Sequence, residues 1–358
     1  MLLAAFAFSG TAQAQLEDYR WDTTGGGDGI ITEGGGTWQN GVGNWNDEGV
    51  APAEDQNWSN NKEARFGGGT AGTAGTVTLG GNVNAWRLYF DAPNGANDYT
   101  IDLAGNNLTL GAGASAINIG ASATITDSSG GGSLVINGSD NNFLFSSGAA
   151  NLTIDAEVSG SMTQMEVAVG GTVTLTGNNI FTGNIVAKNQ SQVVIGGDGT
   201  LGWNGSVGDY AGNITLTQGA DFTYSSSADQ TLSGVIDDDD GADNLITMSG
   251  SGTLTLTGAN TYTGPTDIDS GTLEIGGSGT LGGGSYGGLI GNDGTLKYSS
   301  DQDQTLSSNI SGTGALVKDG SSSVLTLSGN NGYSGSTTID QGTVQAGSTN
   351  ALSTASDF

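Results

Sequence analysis

A thirteen-residue phrase recurs three times in this chain and limits its fold more than any other feature. Gly171 to Gly183 reads GTVTLTGNNIFTG, Gly252 to Gly264 reads GTLTLTGANTYTG, and Ser323 to Gly335 reads SVLTLSGNNGYSG. Leu175, Leu256 and Leu327 are followed four residues later by Asn179, Asn260 and Asn331, and six residues later by Phe181, Tyr262 and Tyr333. A second phrase follows each copy and places Val193 and Ile195, Leu273 and Ile275, and Val344 and Ala346 at equivalent points. A third joins Tyr224-Ser225-Ser226 to Gln230-Thr231-Leu232-Ser233, and Tyr298-Ser299-Ser300 to Gln304-Thr305-Leu306-Ser307. The supra-repeat is on the order of 70 to 80 residues, longer than one solenoid turn, and predicts about three turns of roughly 20 to 25 residues per unit.

Within a phrase the period is two. Leu254 and Leu256 alternate with Thr253, Thr255 and Thr257, and Leu273 and Ile275 flank Glu274, which is the pattern of a strand with one apolar and one polar face. A lone strand of this kind cannot bury its apolar face, but coils stacked about 4.8 Å apart place Leu over Leu inside and Thr over Thr outside. The glycines then serve as corners needing positive φ or close backbone approach. Asn179, Asn260 and Asn331 sit beside such corners, where Asn tolerates the left-handed conformation. The reading is an all-β parallel β-helix, or β-solenoid, over residues 76–358, with supra-repeats starting near 171, 252 and 323. Residues 15–75 hold Trp21, Trp38, Trp45 and Trp58 among much Gly and Asn, the atypical sequence expected of an N-terminal cap. Antiparallel sandwiches or barrels also use short strands between turns but account less well for the long-range repetition. No segment has sustained helical periodicity.

Composition narrows the function. The 66 Gly punctuate runs of Thr, Val, Ile and Leu with only 3 Pro, unlike the Pro- and charge-rich make-up of disordered chains. Seven Lys plus Arg against 36 Asp plus Glu give a formal net charge of -29, so nucleic acid and anionic lipid, which need clustered cations, are not expected partners. Without Cys or His, the Ser-His-Asp and Cys-His systems and the usual zinc and copper ligands are excluded. Met1 to Phe8 reads as the apolar core of a signal peptide and Ala12-Gln13-Ala14 as its cleavage site, so residues 1–14 are expected to be removed. The positive start of such a peptide is missing, which points to a truncated signal. No later stretch reaches the roughly 20 apolar residues of a spanning helix.

In these phrases the chain resembles the autotransporter-associated β-strand repeat, also called the passenger-associated transport repeat. Gly252, Leu254, Leu256, Gly258, Asn260, Tyr262, Gly264, Gly271, Leu273 and Gly279 fall on the family pattern, the copy at 323 to 347 also matches well, and that at 171 to 202 is more divergent. The resemblance implies the passenger of a type V secretion system, folded outside the cell as a single-stranded right-handed parallel β-helix. It also implies a cell-surface or extracellular location in a Gram-negative-type bacterium, and it carries no catalytic residue over. An outer-membrane translocator barrel would be its partner. The aromatic-alternating strands of such a barrel are not read here, so the barrel is expected outside this sequence.

Candidate sites are few. Asp237, Asp239 and Asp243 lie in the densest acidic run and could bind Ca²⁺, although a solvated loop is the simpler reading. Trp38, Trp45 and Trp58 could stack on sugar rings; the competing reading is a small aromatic core. Asp267 with Asp269 offers same-face carboxylates for a polysaccharide hydrolase, while Lys188, Lys297 and Lys318 are too scattered in sequence to suggest a lyase base. The expectation is a non-enzymatic adhesin contacting glycans or cell surfaces through extended faces, without a cofactor. A passive stalk for another effector domain is the alternative.

Overall fold

The computed structural model describes residues 18–23, 32–41, 43–47, 55–69, 71–93, 95, 97–111, 116–137, 144–146, 150–168, 170–202, 208–238 and 244–353. The signal peptide, residues 1–14, lies outside them. The chain is a parallel β-solenoid. Each coil visits three faces in turn, and each face is a ladder of strands contributed by successive coils. Face one holds twelve strands, from Gly36–Trp38 through Thr172–Leu175, Gln192–Ile195 and Asp221–Tyr224 to Ile310–Ser311. Face two includes Gln230–Leu232, Thr253–Leu256, Thr272–Ile275 and Thr295–Tyr298, and face three includes Asn184–Lys188, Ile214–Leu216 and Ile236–Asp238. Near the C-terminal end the long strands Ala315–Leu327 and Thr337–Ala346 each bend across faces two and three. The only helical element among the described residues is the 3-10 turn Gly282–Gly284.

Register follows from the alternation in the sequence. Leu254 stacks on Leu273 and Leu256 on Ile275, Val173 on Val193 and Leu175 on Ile195, and all of these side chains are buried. Leu325 and Leu327 are also buried. A one-residue slip would turn the whole apolar set outward, so the pattern itself fixes the pairing. Successive coils on face one are 20 to 29 residues apart, as Thr174 over Val194 and Val194 over Thr223 illustrate. The two longest coils exceed the range expected from the sequence because they accommodate extra loop residues between strands.

The size of the supra-repeat also differs from the expected three turns. The first copy, Thr172–Leu175, lies on face one. Following that ladder through Gln192–Ile195 and Asp221–Tyr224 leads to Ile246–Met248, and not to the second copy. The second copy, Thr253–Leu256, is the next strand along and belongs to face two. The third, ending at Leu327, is again one face further, stacked on Gln304–Leu306 of face three. Each unit thus spans ten strand positions, three coils and one face, and successive copies are turned by a third of a revolution. The second phrase always lies one coil above the first, and the Tyr strand one coil above that: Leu175, Ile195 and Tyr224 form one column, and Leu256, Ile275 and Tyr298 another.

The N-terminal end is built differently. Asp18–Trp21 pairs antiparallel with Gly43–Asp47, which pairs antiparallel with Asp55–Asn57; every other strand pairing among the described residues is parallel. Gly36–Trp38 and Lys62–Phe66 already stack in register beneath Thr76–Leu79 and Val83–Phe90.

Candidate functional site

The recurring residues act inward. Asn179, Asn260 and Asn331 are buried, and none has the positive φ expected from the sequence. Instead each side chain clamps neighbouring coils. Its Oδ1 accepts the N–H of Val158, Ile236 or Ile310 in the preceding coil, at 3.1, 2.8 and 2.8 Å. The Nδ2 of Asn179 donates to Thr200 O in the following coil, and that of Asn331 to Ala351 O, while Asn260 Nδ2 donates to Gly258 O. The Asn thereby satisfies backbone groups that a corner would otherwise leave buried and unpaired.

The aromatic two positions on fills the corner. Tyr262 and Tyr333 hydrogen-bond through their hydroxyls to Thr266 and Thr337, four residues later, at 3.0 and 2.7 Å. In the first copy both hydroxyls are missing, Phe181 being followed by Ile185, and both side chains are again buried. Burial pushes the Tyr262 phenol up to about 12, opposed by the Thr266 and Tyr286 hydrogen bonds, so it stays protonated and serves packing. A second device repeats as well: Gln230 Oε1 accepts Leu201 N–H at 2.7 Å, and Gln304 Oε1 accepts Leu281 N–H at 2.8 Å.

Outside, Asx side chains work in the opposite direction. Asn213, Asp221, Asp229, Asp293, Asp303 and Asn309 accept backbone N–H groups of Val235, Leu245, Thr253, Thr313, Val324 and Asn330, each in the following coil. Interfaces between coils are stapled forward at the surface and backward in the core. Many acids of this strongly charged chain therefore have structural partners. Burial raises the Asp102 carboxyl, but hydrogen bonds from Ser128 and Ala104 outweigh it and hold it below the usual carboxylate range.

The sites singled out by sequence are dispersed. Trp38, Trp45 and Trp58 are buried in one aromatic cluster with Trp21 and Phe66, Trp45 and Trp58 being 4.7 Å apart between centroids. A sugar could reach their rings only if this end of the solenoid opened. Asp237 accepts the Thr215 hydroxyl at 2.7 Å; Asp239 and Asp243 lie outside the described residues. Among the described residues no group of three or more metal-binding side chains comes together. Asp267 projects from face one over Gly291, and its carboxyl is raised by burial first and by Asp269 second. Lys188 pairs with Glu166 at 3.0 Å, and Lys297 bridges Glu274 and Asp319, both at 3.3 Å.

Lys318 was not singled out as a core residue, yet it is fully buried. It donates to Gly320 O at 2.5 Å and to Ser323 Oγ at 3.1 Å and lies over the Tyr298 ring. Desolvation lowers its pKa despite the nearby charges of Asp319 and Asp303. The alternation Leu316, Val317, Lys318 was the available signal, because it puts Lys318 on the inward side where the second copy has Met248 and the first Val167.

A solenoid whose repeated residues hold coils together, with its polar residues spread along outer ladders, defines a repeat-built scaffold. The passenger-associated-transport-repeat family matches residues 170–187, 246–275 and 316–346, the three regions that carry the Asn and aromatic devices. The chain is a passenger-associated transport repeat protein. It is also 33% identical over 299 residues to the "Adhesin BmaC autotransporter" of Brucella suis biovar 1 (strain 1330), an alignment covering 78% of this chain. The chain spans about 7% of the length of that relative. No solved structure matches it. No helix among the described residues is long and apolar enough to cross a membrane.

Proposed function

We propose that this chain is the secreted, non-catalytic passenger region of an autotransporter-like adhesin, displayed at the surface of a Gram-negative-type cell and delivered by a translocator barrel encoded elsewhere. The observation that carries the reading is the coincidence of the transport repeats with the stacked, inward-clamped phrases, in a chain similar over most of its length to an autotransporter adhesin. Outward rows of Thr, such as Thr124, Thr153 and Thr174 stacked in register, offer hydroxyls suited to weak, multivalent contact with glycans or cell surfaces. Acids engaged by backbone N–H groups of the next coil, such as Asp229 and Asp303, are poorly placed for acid–base catalysis.

Beads coated with residues 15–358 should attach to glycan arrays or to host or sister cells, and Ca²⁺ should change that attachment only if the Asp237–Asp243 segment binds it. Equal behaviour of coated and bare beads in every condition would favour the passive stalk. Polysaccharide cleavage lost on changing Asp267 or Asp269 would favour the hydrolase.

A further inference from the structure

Each of the three copies forms the same contacts on a different face. Gly177 on face one, Gly258 on face two and Gly329 on face three all pass so close to the preceding coil that a Cβ would lie 2.6, 2.1 and 2.0 Å from the carbonyl oxygens of Ala156, Gly234 and Ser308. Six residues on, Gly183, Gly264 and Gly335 repeat this approach against Met162, Asn244 and Gly314, at 2.5, 1.9 and 2.2 Å. The Asn clamp onto the preceding coil is likewise present on all three. The second phrase covers the first in register each time, with Leu175 under Ile195, Leu256 under Ile275 and Leu327 under Ala346. The contacts are set by coil-to-coil stacking alone and make no distinction between the faces.

We infer that the ten-strand unit is an interchangeable module, able to enter the solenoid on any face, so that whole units can be removed or added without disturbing the coils on either side. Joining Ser251 directly to Ser323 illustrates the geometry. The strand ending at Leu327 would then follow Ile246–Met248 on face two, where Leu256 now lies, and Asn331 would meet the N–H of Ile236 that Asn260 now accepts. Every later strand would move by one face and keep its neighbour. Each unit then lengthens the rod by about 16 Å, at about 4.8 Å per coil, and turns whatever it carries by a third of a revolution. The number of units thereby sets both reach and direction of presentation.

Two kinds of variant of the full chain test this. Exchanging the 13 residues Ser323–Gly335 for those of Gly252–Gly264, or of Gly171–Gly183, moves a phrase between faces without changing length. Deleting 252–322 removes one unit. The exchanged chains should melt within about 3 °C of the parent. The deleted chain should keep its β circular dichroism and cooperative melting, with a maximum scattering dimension shorter by about 16 Å. Exchanged phrases that clearly lower the melting temperature would overturn the inference by tying each phrase to its face. A deleted chain that loses its β signal, or keeps the parent length, would do the same even if the exchanges were silent.

Discussion

Between Tyr19 and Phe66 the interior is filled by four indoles and Phe66, with centroid separations of 4.7 to 6.1 Å, and the strands include antiparallel pairs. Between Thr172 and Ala346 every pairing is parallel, and small columns of Leu, Ile and Tyr are supplemented by buried Asn and Gln that join coil to coil. A coil in the middle of a stack has neighbours above and below, so modest side chains and backbone ladders suffice. The first coils have a neighbour on one side only, and bulky aromatics supply more buried surface per residue there. The polar clamps in turn fix register, which a greasy aromatic cluster specifies less strictly. Position in the stack, more than local propensity, sets the chemistry each region uses.

The hardest way to break this contrast is to place a charge in the repeat interior. Leu256→Asp should cost about 4 kcal/mol or more and open the solenoid from its middle, read as a large fall in melting temperature with loss of amide protection on both sides of the substitution. An unchanged melt would remove Leu256 from the core. Next in size, Trp45→Ala should cost roughly 3–5 kcal/mol, but the loss should stay at one end. Hydrogen exchange is expected to accelerate in Asp18–Trp21 and Lys62–Phe66 while Thr253–Leu256 remains protected, since each coil contacts only its neighbours. Uniform acceleration throughout would deny the two regions their independence.

Asn260→Ala tests the clamp itself. It leaves the Ile236 N–H without its partner and should cost about 1–3 kcal/mol, with faster exchange at Ile236. A clamp that is merely decorative would leave that amide as slow as before.

Lys318→Met compares two copies directly, because Met248 stands at the equivalent inward position. The expected gain is about 1 kcal/mol. The folded pKa of Lys318 lies below its unfolded value, so the folded state binds fewer protons in between, and wild-type stability should rise with pH across that window. The variant should lack this rise; equal pH profiles would place Lys318 outside the core. Smallest of all is Asp102. Its carboxyl is held low in the fold, so its contribution is complete above about pH 3.9, the unfolded value, and fades as the pH falls through the folded one. Asp102→Ala should flatten the acid side of the stability curve slightly.

Much of this fold was legible in the sequence. Period two fixed which residues point inward, and Leu254, Leu256, Leu273, Ile275, Leu325 and Leu327 all do so. Recurrence of three phrases identified a solenoid. The phase of the repeat was not legible, because sequence counts residues whereas the solenoid counts strands. The two intervals between copies, 81 and 71 residues from Leu175 to Leu256 to Leu327, both hold ten strand positions, and their difference lies in loops. Asn260 was read as a corner residue because a buried amide and a left-handed one look alike in sequence. Only the coil beneath reveals the N–H it serves. Surface recognition was the least legible, because ladders of Thr and Asp carry the same residues whether or not they meet a ligand.

The one-face advance per unit can be tested most directly with paired cysteines, since the chain has none of its own. Thr223 stacks on Thr247 in face one, whereas Thr255 belongs to face two, opposite Thr231. If each unit were three whole coils, Thr255 of the second copy would take the place above Thr223. Under mild oxidation Thr223→Cys with Thr247→Cys should form a disulfide, the partners being adjacent strands within bonding reach, and Thr223→Cys with Thr255→Cys should remain reduced. Bridging of the second pair and not the first would contradict the account.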